Sequence, residues 1–117
     1  MPRVLVDSSA WMDYLRRRGR SAEKVLRLVA EDEVWLHPVV VGEVRLGGVD
    51  LEARLGLPML PASSAEDVLV WVRQLPPTAL HRVGWADCEI VHAAVSQAVP
   101  LLTSDDRQRA LYEAHRR

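Results

Sequence analysis

The chain has 117 residues, 49% hydrophobic and 26% charged, with a net charge of −1, the composition of one globular domain with room for a core. Its single cysteine, Cys88, excludes an internal disulfide and a multi-cysteine zinc site. No apolar run reaches the length of a membrane span, and the start Met1-Pro2-Arg3-Val4-Leu5-Val6-Asp7 lacks the apolar core of a signal peptide, so the cytoplasm is the expected location.

Residues 3–7 read as a buried strand with Asp7 at its end. Ser8 or Ser9 is the expected cap of a helix over about 10–18 that stops at Gly19, with Trp11, Tyr14 and Leu15 on its apolar face. Arg16, Arg17, Arg18 and Arg20 close that helix, either as a solvated end or as a phosphate contact; Arg107, Arg109, Arg116 and Arg117 form a second basic group. A helix over about 21–31 turns Val25, Leu28 and Val29 inward, and Val34-Trp35-Leu36-His37 is a short strand.

Pro38 opens a third helix, closed by Gly47-Gly48. There Glu43 shares a face with Val39, Val40 and Val44, where an unpaired carboxylate is expensive to bury. Residues 49–56 are a short helix or turn, and 57–60 an edge strand because Pro58 cannot serve a central ladder. Ser63 and Glu66 have capping-box spacing ahead of a helix over 64–75, whose buried row is Val68, Leu69, Val72 and Leu75. After a loop over 78–84 comes a helix over 85–94 with Asp87, Ile90, Val91 and Ala94 on one face. Residues 100–102 are a brief central strand, and 103–106 cap a last helix over about 105–115.

Such alternation implies an α/β fold with a parallel sheet covered on both faces, in a single domain over 1–117. Asp7 and Asp105 each follow an apolar strand at its C-terminal end, the edge where parallel sheets place ligands. Glu43 and Asp87 sit on the inner faces of helices. Gathered in one crevice, these carboxylates would repel one another. A hard dication, Mg²⁺ or Mn²⁺, relieves that conflict and brings water made more nucleophilic. Taken singly, an Asp after a strand, as Asp7 or Asp105, is more often a helix cap than a ligand, while Asp87 can pair with Arg82 and Glu43 with Arg45 or a neighbour in space.

The residues also carry a resemblance. The segments Val4 to Asp13, Leu36 to Gly47, Gly84 to Ala94, and Pro100-Leu101-Leu102-Thr103-Ser104-Asp105 together resemble the PIN-domain nucleases, and among them the VapC toxins of prokaryotic toxin–antitoxin pairs. The resemblance implies a three-layer α/β/α fold with strand order 3-2-1-4-5. It implies Mg²⁺- or Mn²⁺-dependent endoribonuclease activity through Asp7, Glu43, Asp87 and Asp105, with Ser8 and Thr103 orienting the ligands. It further implies a homodimer, an RNA substrate and a cognate VapB-type antitoxin, with DNA reached only through that antitoxin. This chain departs from the pattern in two places. It ends about where a fifth strand belongs, so that strand is expected short or missing, and Arg107 and Gln108 stand where an aromatic usually follows the fourth acid.

Other classes fit less well. A receiver domain needs an acidic pair beside the first strand and a late lysine, yet Lys24 is the only Lys; a dehalogenase-type phosphatase needs Asp-x-Asp where Asp7-Ser8-Ser9 stands. Cys88 and His92, four apart on one helix, would make a cysteine hydrolase only in an exposed, activated setting. His37, His81 and His115 read as surface or loop residues. Trp11 and Trp85 read as packing residues in preference to base-stacking ones. The remaining alternative is a catalytically silent PIN scaffold that binds RNA or a protein partner.

Overall fold

The computed structural model describes residues 2–116, so Arg117 lies outside the described residues. Its elements are β1 (Val4–Val6), α1 (Ser8–Arg16), α2 (Ala22–Ala30), β2 (Val34–Trp35), α3 (Pro38–Leu46), α4 (Leu51–Leu55), α5 (Ala65–Gln74), a 3-10 turn (Pro77–Leu80), α6 (Trp85–Ser96), β3 (Leu101–Leu102) and α7 (Asp106–His115). The three strands are parallel in the order β2-β1-β3. Leu5 pairs with Trp35 on one side and Leu101 on the other. A single parallel bridge, Leu36 to Met59, brings residues 57–60 alongside the end of β2. β3 is therefore an edge among the described strands, not a central one, and after it the described chain runs into α7 with no fifth strand.

β1 is the centre of the core because Leu5 and Val6 are both fully buried, as continuous apolar runs in parallel sheets are. α1 packs on α2 and α3, α3 on α4 and α6, and α6 on α5 and α7. Trp11 fills the space beneath α1 with no exposed surface, edge-on to Tyr14 at 5.7 Å. A buried Trp of this kind typically contributes about 3–5 kcal/mol against Ala.

Several local expectations are corrected. The cap of α1 is Asp7, which accepts from the Ser9 N–H, and neither Ser8 nor Ser9. The left-handed residue ending α1 is Arg17 (φ 57°), and Gly19 serves the next turn: at φ 104° a side chain there would run into the Asp13 carboxyl. Ser64, not Ser63, caps α5, with its Oγ accepting from Asp67 N at 3.1 Å, an interaction worth about 1 kcal/mol. Leu69 is 39% exposed, because α5 turns Val68 into the core instead. His37 is fully buried, where its Nδ1 accepts from Val39 N and caps α3. Burial lowers its pKa, which keeps the ring neutral for that role.

Candidate active site

Because the strands are parallel, their C-terminal ends share one edge, and α1, α3 and α7 all start there. Asp7 leaves β1 and caps α1. Its Oδ2 accepts from the Ser9 N–H at 3.1 Å, the Ser9 hydroxyl at 2.7 Å and the Thr103 hydroxyl at 3.1 Å. That leaves Oδ1 turned toward the other acids, with the Gln108 amide at 3.2 Å and the Ser8 hydroxyl at 3.5 Å. Asp7 is only 3% exposed.

The other two aspartates divide their oxygens similarly. Asp87, in the first turn of α6, takes the Gly84 N–H on Oδ2 at 3.2 Å and the Gln108 amide on Oδ1 at 3.4 Å. Asp105 caps α7 by accepting from Arg107 N and Gln108 N on Oδ1. Cap and site are thus not alternatives: one oxygen of each aspartate holds a helix N-terminus, which suits the helix dipole, and the other oxygens of Asp7 and Asp87 meet at the Gln108 amide. Glu43 reaches the same place from α3, with its Oε1 3.0 Å from the Ser8 hydroxyl. It is exposed at the rim, not buried in the apolar stripe of α3.

The electrostatics couple all four acids. Desolvation pushes the Glu43 carboxyl up; the Ser8 hydroxyl opposes this, and the charges of Asp7 and Asp87 add to it. Asp87 is raised by desolvation first, against the Gly84 N–H, with Asp7 and Asp105 adding. Among the described residues none of these acids is in an ion pair, so the expected alternatives Asp87–Arg82 and Glu43–Arg45 do not form.

This has a pH consequence. Both carboxyls sit above their unfolded values, so their contribution to stability is complete below about pH 4 and is lost as pH rises through the raised folded values. Without metal, Glu43→Gln/Asp87→Asn is expected to melt above the wild type at pH 7, with the gap closing as pH falls toward 4. Thermal melts at both pH values check this; a gap independent of pH would contradict it.

Ser8 and Thr103 each touch Asp7, and Thr103 Oγ1 also accepts from Asp105 N at 3.0 Å. Two further residues complete the network and were not found from sequence. Ser9 bonds Asp7 and receives Ser104 N, and the fully buried Gln108 bridges Asp7 and Asp87. Only the spacing of Gln108, three after Asp105 on the same helix, hinted that it could face the site.

Among the described residues, no group of three or more His, Cys, Asp or Glu side chains is disposed as a ready metal cage. The donor set is nevertheless all oxygen, and among the described residues no cationic side chain pairs with it. That chemistry suits a hard dication, which binds through one or two carboxylates and keeps its waters. A cleft of about 590 Å³ lies elsewhere, lined by Tyr14, Leu15, Arg17, Leu26 and Arg54, with Glu23 as its one acid. It holds no group of convergent acids, so the carboxylate edge is the better candidate for chemistry.

The cysteine-hydrolase alternative is excluded by geometry. Cys88 is 3% exposed, its thiol is pushed up by burial and then by Asp87, and His92 Nδ1 bonds the Ser63 hydroxyl at 2.6 Å. Of the basic residues, Arg20 is bound to Ser104 O and Asp106, Arg109 to Thr103 O, and Arg116 to Glu113. Arg16, Arg17, Arg18 and Arg107 remain exposed. Trp11 is core, but Trp85 is 45% exposed at the start of the helix that carries Asp87.

No helix among the described residues is long and apolar enough to cross a membrane. No family model matches the chain. Two curated relatives, both named Ribonuclease VapC32, from Mycobacterium tuberculosis strains CDC 1551 / Oshkosh and ATCC 25618 / H37Rv, are each 30% identical to it over 71 residues. The match covers 56% of this chain, and the chain spans about half the length of those relatives, 55%. The likeness is distant, and it is a likeness to ribonucleases.

Proposed function

We propose that this chain is a PIN-like, Mg²⁺- or Mn²⁺-dependent endoribonuclease, the toxin of a VapBC-type toxin–antitoxin pair. The observation that carries the reading is the meeting of Asp7, Glu43, Asp87 and Asp105 at one edge of a parallel sheet without a cationic side chain among them. The distant likeness to proteins named as ribonucleases supports the choice of RNA as substrate. The proposal extends to a single three-layer domain in which residues 57–60, β2, β1 and β3 fill the first four places of the order 3-2-1-4-5, a homodimer and a VapB-type antitoxin.

When bound, the dication supplies an activated water and neutralises charge on the phosphodiester oxygens. The chain's own part is to hold and orient. Asp7, Glu43, Asp87 and Asp105 would hold the cation. Ser8 steadies Glu43, while Thr103 ties Asp7 to the backbone of Asp105. The N-termini of α1, α6 and α7 converge there, and their partial positive charge favours an incoming phosphate. Within the two basic groups, Arg16, Arg17, Arg18 and Arg107 are exposed and can track the RNA backbone. Cleavage of RNA by the purified chain, with and without Mn²⁺, tests the reading.

The exposed indole of Trp85 offers a base a stacking surface. Such contacts are worth about 1–3 kcal/mol, so Trp85→Ala should weaken binding of single-stranded RNA by roughly 5- to 150-fold with the melting temperature unchanged. Fluorescence titration with a labelled oligonucleotide measures it; equal affinities would remove Trp85 from the interface.

A silent RNA- or partner-binding scaffold is the second reading, favoured by the lack of a ready metal cage among the described residues. Under it the chain would bind RNA and leave it intact at every Mn²⁺ concentration.

A further inference from the structure

Three of the four acids meet on one residue. Gln108 has no exposed surface, and its single Nε2 lies 3.2 Å from Asp7 Oδ1 and 3.4 Å from Asp87 Oδ1. Its backbone N–H donates to Asp105 Oδ1 at 3.2 Å. A primary amide carries two N–H donors, and here each is directed to a carboxylate on a different element, one at the end of β1 and one in α6. The other end of the amide is unsatisfied: Oε1 is buried with no partner. A glutamine that merely filled space would be a poor choice for a fully buried position, since a buried acceptor without a partner is unfavourable. The donor end is what this position uses.

The neutrality of the amide matters as much as its donors. A Lys or Arg here would hold the same carboxylates but cancel their charge and compete with a cation. A Glu would add to the repulsion. The amide draws Asp7 and Asp87 together and leaves their negative charge for a dication to neutralise.

We propose that Gln108 is a positioning residue that sets the separation of the Asp7 and Asp87 carboxylates for a divalent cation. This rests on the metal-dependent reading above. Gln108 does not touch the reacting atoms; it acts through the two acids it bridges.

The test is calorimetric titration of the full chain with Mn²⁺ alone, well below the melting temperature. Gln108→Met keeps an unbranched chain of similar size and loses the donors. Gln108→Asn keeps the donors on a stem one methylene shorter, so it cannot span both carboxylates. The two variants together guard against one failing to fold. Loss of an outer contact that orients metal ligands typically weakens affinity about 10- to 100-fold, and a loss of that size is expected for Met, with a smaller loss for Asn. A purely structural Gln108 would lower the melting temperature and leave Mn²⁺ affinity unchanged. If either folded variant binds Mn²⁺ as the wild type does, while Asp7→Asn does not, Gln108 is not a positioning residue and the metal site stands. If wild type and Asp7→Asn bind Mn²⁺ alike, the metal reading itself fails.

Discussion

Asp7→Asn is expected to abolish RNA cleavage while the protein stays folded. Asn caps a helix about as well as Asp, so the bond from the Ser9 N–H that starts α1 survives the change. What is lost is the charge on Oδ1, the oxygen turned toward Asp87 and Glu43 through Gln108 and Ser8. Losing contacts that only orient metal ligands already costs about 10- to 100-fold in metal affinity or activity, so loss of a ligand's charge should exceed that range. Asp105→Asn should behave alike, since its cap to Arg107 N and Gln108 N is also kept. Turnover of a labelled RNA, with circular dichroism to show folding, checks both. Cleavage at the wild-type rate by the two amides would overturn the assignment of the site.

The second large effect is on stability. A ligand that binds only the folded state stabilises it by about 2.7 kcal/mol at a hundredfold excess over its Kd, which for a chain of this size raises the melting temperature by roughly 10 °C. Mn²⁺ or Mg²⁺ should do this to the wild type. The quadruple variant Asp7→Asn/Glu43→Gln/Asp87→Asn/Asp105→Asn should melt higher than the wild type without metal and show no shift with it. The reason is that Glu43 and Asp87 are pushed up by desolvation and by one another's neighbours, a penalty that either a cation or neutral amides relieve. Scanning calorimetry across a metal series distinguishes the cases, and an equal shift in both proteins would place the cation elsewhere.

Much of the local structure was legible because its signals are local. Apolar spacing and capping residues located α2, α3, α5, α6 and α7 close to their observed ends, and the apolar face Ile90, Val91 and Ala94 is buried as read. The misreadings share one cause. Leu69 falls in the apolar row of its helix and His37 reads as a loop residue, yet burial depends on which face a neighbouring element covers: Leu69 turns outward on α5, while His37 is enclosed at the start of α3. Trp85 was assigned to packing on the same ground and stands 45% exposed. Glu43 was expected within the apolar stripe and instead reaches the rim, held by Ser8.

The acids show the division most clearly. Their positions after β1, after β3 and in the first turn of α6 follow from strand and helix patterns, which depend on residues a few places apart. By itself the amino-acid order therefore determined which carboxylates stand at element ends and that a parallel α/β arrangement could bring them to one edge. Only the tertiary structure decided that Asp7 and Asp87 each give one oxygen to a cap and the other to a shared partner, and that this partner is Gln108, 101 positions from Asp7. Contacts between residues so far apart are set by how helices pack across the sheet, and a packing arrangement leaves no periodic signal along the chain.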